Sequence, residues 1–401
     1  MAKTDTTALI LGGGAAGLQL GAACAAAGIS AQIIEPRTQY EADRTWSFWA
    51  APDHDFADCE HARWSQWSVS HGDQVAMRQS SSLVYTSLDA GRVYDKLTHT
   101  IENSDHVRLH LGCHANGDPH WKAADRQWHV TTTNGPITGR YVFDSRPPAV
   151  APGTYGQFFV GREIRTDKPV FQANTVQLMH FRTPATAGDR GDAINFLYVL
   201  PFAPDHGLVE VTRFTTMPSA AATAAMTANQ MIQPMIKQMT SWLADELAAL
   251  VLDAAITTIR DEAGFIPMAV TSPPPAANGY CPMGLRGQAA RASTGYAFSR
   301  MGQMATAFAD QMLAGRMAPT LDMDGPLTRW MDQVFLKVLQ RHPEQAPGLF
   351  HRLFERAPVD RLEHFLEGSQ RHGDRLSIMM ALPKWPFIKA ALMPKPRART
   401  P

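Results

Sequence analysis

The sequence predicts an α/β fold: a Rossmann-like dinucleotide-binding domain, a β-rich domain inserted into it, and a mainly helical C-terminal region. A glycine-rich turn between a short apolar run and an alanine-rich run predicts the first part. Alternating apolar residues between positions 158 and 214 predict the second, and helical periodicity after position 317 predicts the third. Strands that leave and re-enter a nucleotide fold favour discontinuous domains: 1–75, 80–148 and 280–316 for the nucleotide domain, 149–279 for the substrate domain, and 317–401 for the helical region.

The chain opens with the run ALILGGGAAGLQL at residues 8–20. Its apolar start, 8–11, predicts a buried strand, and 15–27 predicts an alanine-rich helix that ends at Gly28. A second predicted strand follows at 31–35. Strand, helix and strand therefore alternate as they do in a nucleotide-binding unit.

Three glycines in the turn have the spacing G-x-G-x-x-G. Gly12 permits the tight turn, Gly14 lets a pyrophosphate approach the backbone, and Gly17 lets helix and strand pack closely. The amino terminus of the helix presents N–H groups and a positive dipole end to the phosphates. Glu35 ends the second strand about 20 residues on, where an acid holds a ribose hydroxyl. A chance glycine cluster before a core helix would not explain that acid, so we predict a dinucleotide site.

Composition excludes several classes of protein. The 401 residues suffice for two or three domains, and Lys plus Arg equals Asp plus Glu at 37 each, so no charge excess favours nucleic acid. The four cysteines are scattered without a C-x-x-C pair, which predicts a reducing, cytoplasmic compartment and neither zinc nor disulfides. We expect no signal peptide and no membrane-spanning run. His106, His110 and His114 have a four-residue spacing, but alternation around them predicts a strand rather than a helical metal face, so no metal site is expected.

Further elements are predicted between the two ends. Helix-like spacing predicts a helix over most of 80–103, and 220–252 is predicted to form a methionine-rich helix. Residues 284–313 are predicted to form a glycine loop that leads into a helix. Strands are predicted at 107–111, 128–132, 140–144, 159–165, 175–181, 194–202 and 208–214, the last two forming a hairpin.

Six other stretches are distinctive in combination: RTWSFW (44–49), VFDSRPP (142–148), FFVGREIRT (158–166), FLYVLPFAPDHGLVEVTRF (196–214), EAGFIPM (262–268) and GLRGQAARASTGYAF (284–298). Together with the glycine loop, and in this order up to about residue 315, they resemble the blocks of the flavin-dependent lycopene cyclases, including the bacterial lycopene β-cyclases. That family is similar in fold to the glutathione-reductase-type flavoproteins. The resemblance implies tightly bound FAD, active in its reduced form with NAD(P)H as reductant, and ring closure at the end of a polyene without net redox change.

The resemblance also implies roles by position. The residues implied to contact FAD are Gly12, Gly14, Gly17 and Glu35 at its ADP half, Thr45 and Trp46 beside the flavin and the substrate channel, and Thr294 and Gly295, at the start of the following helix, against the isoalloxazine ring. A helix amino terminus there would stabilise negative charge on a reduced flavin. Glu210 matches the essential acid of the family. The implied chemistry is protonation of a terminal double bond, attack of the neighbouring alkene on the cation, and loss of a proton from the ring.

Strand alternation gives independent information on Glu210. It places the carboxyl on one strand face with Leu208 and Phe214, and a partly buried carboxyl favours its acid form, as a general acid requires. The alternative is a solvent-facing acid paired with Arg213 or Arg162. We expect catalysis because the resemblance favours it.

The cation requires a dry cavity, in which Trp46, Phe48 and Tyr198 would stabilise it through their ring faces unless they serve only as core. The chain departs from the family pattern at positions that we expect near the site, namely Arg162, His180, Val211 and Arg291–Ala292. These departures leave another polyene or prenylated substrate open.

Two other functions also stay open: an FAD-dependent monooxygenase acting on an apolar substrate, and a non-catalytic flavoprotein that binds a polyene. Against the first, Gly191 and Asp192 lack the strand-to-helix context of the hydroxylase Gly-Asp motif. Against the second, the chain retains Glu210.

The end of the chain has the composition of an interfacial segment. Residues 376–399 combine apolar side chains, Trp385 and flanking Lys and Arg, which is typical of a peripheral contact with a membrane, here its inner face, or of domain packing. Pro383 and Pro386 prevent one long helix. The expected partner is an apolar polyene and not nucleic acid, and the sequence does not predict an oligomeric state.

Overall fold

The computed structural model describes residues 6–181, 193–217, 228–268, 279–318 and 320–392. Within these ranges the strands, in chain order, are β1 (Ala8–Leu11), β2 (Ala31–Glu35), β3 (Thr45–Ala50), β4 (Glu60–Trp64), β5 (Gln66–His71), β6 (Gln74–Gln79), β7 (Val84–Asp89), β8 (Val107–Leu111), β9 (His120–Lys122), β10 (Gln127–Thr132), β11 (Gly135–Gly139), β12 (Tyr141–Asp144), β13 (Tyr155–Thr166), β14 (Thr175–Phe181), β15 (Ile194–Ala203), β16 (His206–Thr216), β17 (Ile256–Pro267) and β18 (Tyr280–Pro282). The α-helices are α1 (Ala15–Ala26), α2 (Ala90–Glu102), α3 (Ala228–Val251), α4 (Phe298–Leu313), α5 (Gly325–Arg341), α6 (Ala346–Arg356), α7 (Val359–Leu366), α8 (His372–Ala381) and α9 (Lys384–Leu392).

A parallel sheet of the Rossmann type contains the start of the chain. Its order is β18-β12-β1-β2-β8, and every neighbouring pair is parallel. Because both faces are covered, β1 is apolar and fully buried: α1, α2 and α4 pack on one face, and the small sheet β11-β10-β9 packs on the other. The predicted α/β fold is confirmed, and the predicted bounds of β1, β2 and β8 are those observed.

A seven-stranded sheet forms the β-rich part, in the order β17-β13-β16-β15-β14-β5-β6. One face packs against the C-terminal helices and the other against α3, so the sheet separates two apolar cores. The predicted hairpin of β15 and β16 is confirmed, with antiparallel pairing from Ile194–Phe214 down to Ala203–His206. Two of its strands, β5 and β6, come from before residue 80. The domain boundaries given above stay a prediction.

The helix predicted over most of 80–103 was wrong in its first half. Residues 84–89 form β7, which lies between β3 and β4 in a three-stranded antiparallel sheet. Pairing with β3 outweighs the helical spacing of the leucines and valines, and Asp89 then starts α2 by accepting a hydrogen bond from the backbone N–H of Arg92. The helix therefore begins at Ala90, ten residues later than expected.

The tail is helical, as predicted, and packs α5 to α9 against the seven-stranded sheet. Pro383 separates α8 from α9, and Pro386 lies within the first turn of α9. Residues 393–399 of the proposed interfacial segment lie outside the described residues, as do residues 220–227 of the methionine-rich helix and Gly191–Asp192. Across the described chain, the helices are too short or too polar to span a bilayer.

A buried ion pair ties the turn before α4 to the tail. The guanidinium of Arg291, with no exposed surface, donates to both carboxylate oxygens of Asp332 on α5, at 3.1 and 3.2 Å, and to the backbone carbonyl of Phe365 on α7. Its Cζ lies 4.0 Å from the centre of the Phe365 ring. The hydroxyl of Ser293 also donates to Asp332, at 2.8 Å, so the carboxylate is well satisfied.

We expect Arg291→Gln to lower the free energy of unfolding by roughly 3–5 kcal/mol, because it leaves the Asp332 carboxylate buried without its counter-charge. Urea unfolding followed by circular dichroism measures this. The matched control is Arg165→Gln, whose ion pair with Asp205 is exposed and spans 3.9 Å, and which should change the unfolding free energy by less than about 1 kcal/mol. Similar losses in the two variants would contradict the assignment of Arg291 as a structural clamp.

Candidate active site

One cavity of about 1250 Å³ connects the nucleotide-binding turn with the seven-stranded sheet and the C-terminal helices. It is lined by all but one of the residues predicted for the site: Gly12, Gly14, Glu35, Thr45, Trp46, Glu210, Thr294 and Gly295. Gly17 is the exception. Its role is inside the turn, since a Cβ at this position would lie 1.9 Å from the carbonyl oxygen of Gly12.

The nucleotide end has the geometry that the glycine spacing predicts. Gly12 has φ +94°, in the left-handed region that favours glycine. Gly14 caps α1, and a Cβ there would meet no atom within 4 Å because the position faces the open cavity. Space thus remains in front of the first N–H groups of α1, which lack partners within a helix. This is room in which a pyrophosphate fits.

Glu35 lies at the end of β2 and is 4% exposed. Its carboxylate accepts hydrogen bonds from the backbone N–H of Gly13 (2.6 Å) and from the backbone N–H and Nε of Arg37 (2.9 and 2.8 Å). Burial raises the pKa of Glu35, but the hydrogen bonds and the charge of Arg37 outweigh it and hold the pKa below its ordinary value. The side chain is therefore an ionised acceptor facing the cavity, suited to a ribose hydroxyl.

Thr294 and Gly295 lie in the cavity wall. They were predicted to start the following helix, and this was wrong. They precede α4, which begins at Phe298, because Gly295 adopts φ +76° and the backbone N–H of Arg291 bonds to the carbonyl of Tyr296 to close a turn. Any effect of the α4 dipole on this turn therefore acts from a few residues farther away than expected.

Glu210 points into the cavity and is 7% exposed. Alternation along β16 sends Thr212 and Phe214 to the same side, as predicted, and Val209 and Val211 to the core against α3. The Thr212 hydroxyl donates to Oε1 of Glu210 at 2.7 Å. Burial, and next the negative charge of Glu262, raise the pKa of Glu210 to about 8, although the Thr212 hydrogen bond lowers it. The carboxyl is therefore protonated at neutral pH, as a general acid must be.

The alternative of a solvent-facing acid was wrong. Arg213 lies on the opposite face of β16, where its Nε donates to Asn195 at 2.8 Å. Arg162 forms an ion pair with Asp261 at 2.6 Å. Neither contacts Glu210 in the hydrogen bonds and ion pairs described for the structure.

Another carboxyl group of the cavity wall, Glu262 on β17, was missed by the sequence analysis. Its Oε2 accepts from the hydroxyl of Thr45 (2.8 Å) and from Nη1 of Arg260 (2.8 Å). Nη2 of Arg260 also donates to that Thr45 hydroxyl, at 2.5 Å. The quoted block EAGFIPM begins with this glutamate, so the signal was present, but β17 was not predicted and nothing local showed that it pairs beside β13.

The aromatic predictions divide in two. Trp46 and Tyr198 line the cavity, whereas Phe48 packs in the nucleotide-domain core against Phe298, with ring centres 5.4 Å apart, and was a wrong choice. The hydroxyl of Tyr198 lies 2.8 Å from that of Tyr85, another cavity residue that the sequence did not single out. Burial raises the pKa of both phenols well above its ordinary value, so they stay neutral.

The departures from the family pattern were expected near the site, and some adjoin it: Val211 lies between the cavity residues Glu210 and Thr212. Within the described residues, none of the positions concerned lines the cavity: Arg162, His180, Val211, Arg291 and Ala292. Val211 faces the α3 core because it is an odd position on β16. Arg291 bonds to Asp332 and to the carbonyl of Phe365, two residues that line the cavity.

His61, Glu163 and His206 form a group with the residue types of a metal site, their candidate ligand atoms lying within 4.8 Å of one another. Hydrogen bonding accounts for the buried pair, since Glu163 bonds to Nε2 of His206 at 2.8 Å through one oxygen and to Nε of Arg260 at 2.7 Å through the other. That adjacent guanidinium also disfavours a cation. The absence of a metal stays a prediction. As predicted, His110 lies on a strand, β8.

Comparison with known proteins identifies the family. A family model described as "Lycopene cyclase protein" matches residues 8–392, nearly the whole chain. The chain belongs to the lycopene cyclase family. A search of curated proteins by sequence gave no significant match.

Solved structures share the fold of this lycopene cyclase family member at low identity. A flavoprotein/dehydrogenase from Cytophaga hutchinsonii matches with TM-score 0.60 and 13% identity over 96% of this chain and 98% of its own. A geranylgeranyl bacteriochlorophyll reductase-like protein from Thermoplasma acidophilum matches with TM-score 0.55 and 11% identity over 98% and 97%. The halogenase PltM, solved in complex with FAD, matches with TM-score 0.54 and 12% identity over 95% and 87%. The fold is therefore that of the flavoproteins.

The raised pKa of Glu210 predicts how stability depends on pH. Because the pKa rises from about 4.5 in the unfolded chain to about 8 in the folded protein, the contribution of this group is fully present below pH 4.5 and is lost as the pH rises through 8. Each pKa unit is worth about 1.4 kcal/mol.

Glu210→Gln cannot titrate, so we expect its unfolding free energy, relative to wild type, to rise by a few kcal/mol between pH 4.5 and 8.5. Urea unfolding across this range measures the difference in unfolding free energy between the variant and wild type at each pH. The titration of other groups contributes equally to both proteins and cancels. Phe214→Leu, on the same face of β16, keeps the carboxyl and should give a curve parallel to that of wild type. A parallel curve for Glu210→Gln would show that the carboxyl titrates at its ordinary pKa.

Proposed function

We propose that the protein catalyses the FAD-dependent, non-redox cyclisation of the end group of lycopene or a related polyene. The observation that carries the proposal is a protonated, buried carboxyl, Glu210, in a largely apolar cavity that continues to a dinucleotide-binding turn. Membership of the lycopene cyclase family agrees with it. The protein is accordingly an intramolecular lyase or isomerase rather than an oxidoreductase.

The residues fit FAD at both ends of the dinucleotide. Gly14 leaves space for the pyrophosphate at the α1 terminus, and the ionised Glu35 is placed to accept a ribose hydroxyl. The turn of Thr294 and Gly295, which lines the same cavity as Trp46, would bound the isoalloxazine ring. When bound and reduced by NAD(P)H, FAD would supply fixed negative charge beside a developing carbocation.

The side chains of the cavity then perform the proton chemistry. Glu210 donates its proton to the terminal double bond, forming a C–H bond and leaving a tertiary cation. The neighbouring alkene attacks this cation to close the ring. The ring then loses one proton, which the Glu210 carboxylate takes up, so the acid is regenerated and no electrons are gained or lost overall. Trp46 and Tyr198 present aromatic faces that stabilise positive charge. The packed helices exclude the water that would otherwise trap the cation.

A rim of exposed apolar side chains surrounds the cavity where α5, α8 and α9 meet. The large apolar residues that both line the cavity and are exposed by 40% or more are Trp330, Leu376, Met379, Met380 and Ile388. Trp385 is 67% exposed on α9, with the ammonium group of Lys389 5.7 Å from its ring centre. Apolar and basic side chains together suit a peripheral contact with an anionic membrane, through which a polyene would enter.

The first experiment is expression of wild type and Glu210→Gln in lycopene-accumulating cells, with pigment chromatography. We expect wild type to form cyclic end groups and the variant to lose this activity by roughly 100-fold or more, because it cannot supply the proton. The purified variant should retain its flavin absorbance per polypeptide, which separates loss of chemistry from loss of FAD.

Phe214→Leu controls for changes in cavity shape on the same strand and should still cyclise. Hydroxylated products would instead favour an FAD-dependent monooxygenase. Hydroxylation contradicts the cyclase proposal. Unchanged lycopene with flavin bound to wild type would contradict lycopene as the substrate and favour a non-catalytic polyene carrier or another substrate.

The membrane contact predicts that Trp385→Glu combined with Ile388→Glu weakens binding to vesicles containing anionic phospholipid by at least about tenfold in a flotation assay, since a charge at each position opposes insertion. The matched control is Val75→Glu with Met77→Glu, two residues of β6 that are 57% and 55% exposed but lie outside the cavity rim. If the two double variants float equally well, the rim is not the contact surface.

A further inference from the structure

Two carboxyl groups face each other across a strand that has no side chain between them. Strand β13 lies between β16 and β17, antiparallel to both. Its residue Gly161 pairs directly with Glu210 on one side and with Glu262 on the other. Directly paired residues project to the same face of a sheet. Glu210, Gly161 and Glu262 therefore form one row on the cavity face, and only the two outer positions carry side chains.

Space, rather than backbone conformation, accounts for the glycine. Gly161 is not among the glycines with φ in the left-handed region, so any residue can adopt its backbone conformation. A Cβ at this position would instead lie 3.2 Å from Cγ and 3.4 Å from Oε1 of Glu262, and 3.3 Å from Cδ1 of Leu208. The side chain of Glu262 thus leans over Gly161 towards Glu210, into the volume that a larger residue would occupy.

The hydrogen bonds of the two carboxyls differ. Glu262, whose side chain is 6% exposed, accepts from Thr45 and forms an ion pair with Arg260 at 2.8 Å. Arg260 is itself held by Glu163 at 2.7 Å. Glu210 accepts from the neutral hydroxyl of Thr212. The partners of Glu262 therefore include a cation, whereas the Thr212 hydroxyl bonded to Glu210 is neutral.

We propose that Glu262 is a positioning residue that keeps the catalytic proton on Glu210, and that Gly161 is the gap through which the two carboxyls interact. The inference rests on the proposed cyclase function for its role in catalysis, though not for the pairing itself. A fixed negative charge next to Glu210 disfavours a second one, so the acid stays loaded at neutral pH. After the proton has left, two carboxylates face the carbocation and stabilise it.

Other ionisable groups around the pair do not replace this effect. Tyr198 of β15 lies beside Glu210 and stays neutral, because burial raises its pKa. Arg260 of β17 and Glu163 of β13 adjoin Glu262, and His206 of β16 lies beyond them, hydrogen-bonded to Glu163. Glu262 is thus the anionic group directly across the gap.

The test uses the purified protein without substrate. Infrared spectroscopy with isotope-labelled glutamate follows the C=O stretch of protonated carboxyls during a pH titration, and Glu210→Gln identifies the band of Glu210. We expect Glu262→Gln, which keeps the shape but removes the charge, to lower the midpoint of that band by at least one pH unit, a tenfold fall in the ratio of protonated to ionised Glu210 at a given pH. Gly161→Ala should move it in the same direction by pushing Glu262 aside.

The control is Asp261→Asn, adjacent in sequence but on the opposite face of β17, where its partner is Arg162. It should leave the band at its wild-type midpoint. A wild-type midpoint in Glu262→Gln overturns the proposal, even if Gly161→Ala fails to fold. In turnover assays, the pH above which cyclisation falls should shift downwards with the band in Glu262→Gln. If the band shifts but no lycopene is cyclised by wild type, the pair stands and the proposed function fails.

Discussion

Glu210 keeps its proton at neutral pH because folding places its carboxyl on a buried strand face, and most of the surrounding structure contributes to that placement. An ionised carboxylate in an apolar medium is far costlier than a neutral one, so burial alone favours the acid. Strands β13 and β15 fix the backbone of β16 on both sides. The C-terminal helices pack over the sheet face that carries Glu210. If these helices packed more loosely, water would enter the cavity and the pKa of Glu210 would fall towards its ordinary value.

The seven-stranded sheet has different tasks on its two faces. Odd positions of β16, such as Val209 and Val211, build an apolar core with α3 that keeps the strand immobile. Even positions, among them Glu210 and Thr212, line the cavity. This division explains why an acid can be retained in the middle of a strand whose neighbours are all buried: the other face supplies the stability, and a register slip of one residue would exchange the two sets.

Features that depend on neighbouring residues could be predicted from the sequence, whereas features that depend on contacts between distant parts of the chain could not. The strand 8–11, the helix from Ala15 and the strand 31–35 follow from local periodicity and glycine spacing, and the structure reproduces them. Alternation predicts that Glu210 shares a strand face with Leu208 and Phe214, but not whether that face meets solvent or the interior; the folded chain buries it. Glu262 did not follow, because its partner Thr45 is 217 residues away along the chain and the pairing of β17 with β13 is a tertiary event. Similarly, residues 84–89 have a helical pattern that pairing with β3 overrides.

The contacts of Arg291 with α5 and α7 make the C-terminal helices part of the cavity's support. Because one guanidinium holds both α5 and α7, the turn that carries Thr294 and Gly295 is fixed by Asp332 and by the carbonyl of Phe365, in addition to its own backbone hydrogen bonds. The C-terminal helices are therefore an integral part of the folded protein. Removing the chain from α7 onwards would take a carbonyl partner from the buried guanidinium of Arg291 and disturb the cavity wall at Thr294 and Gly295, far from the point of the cut.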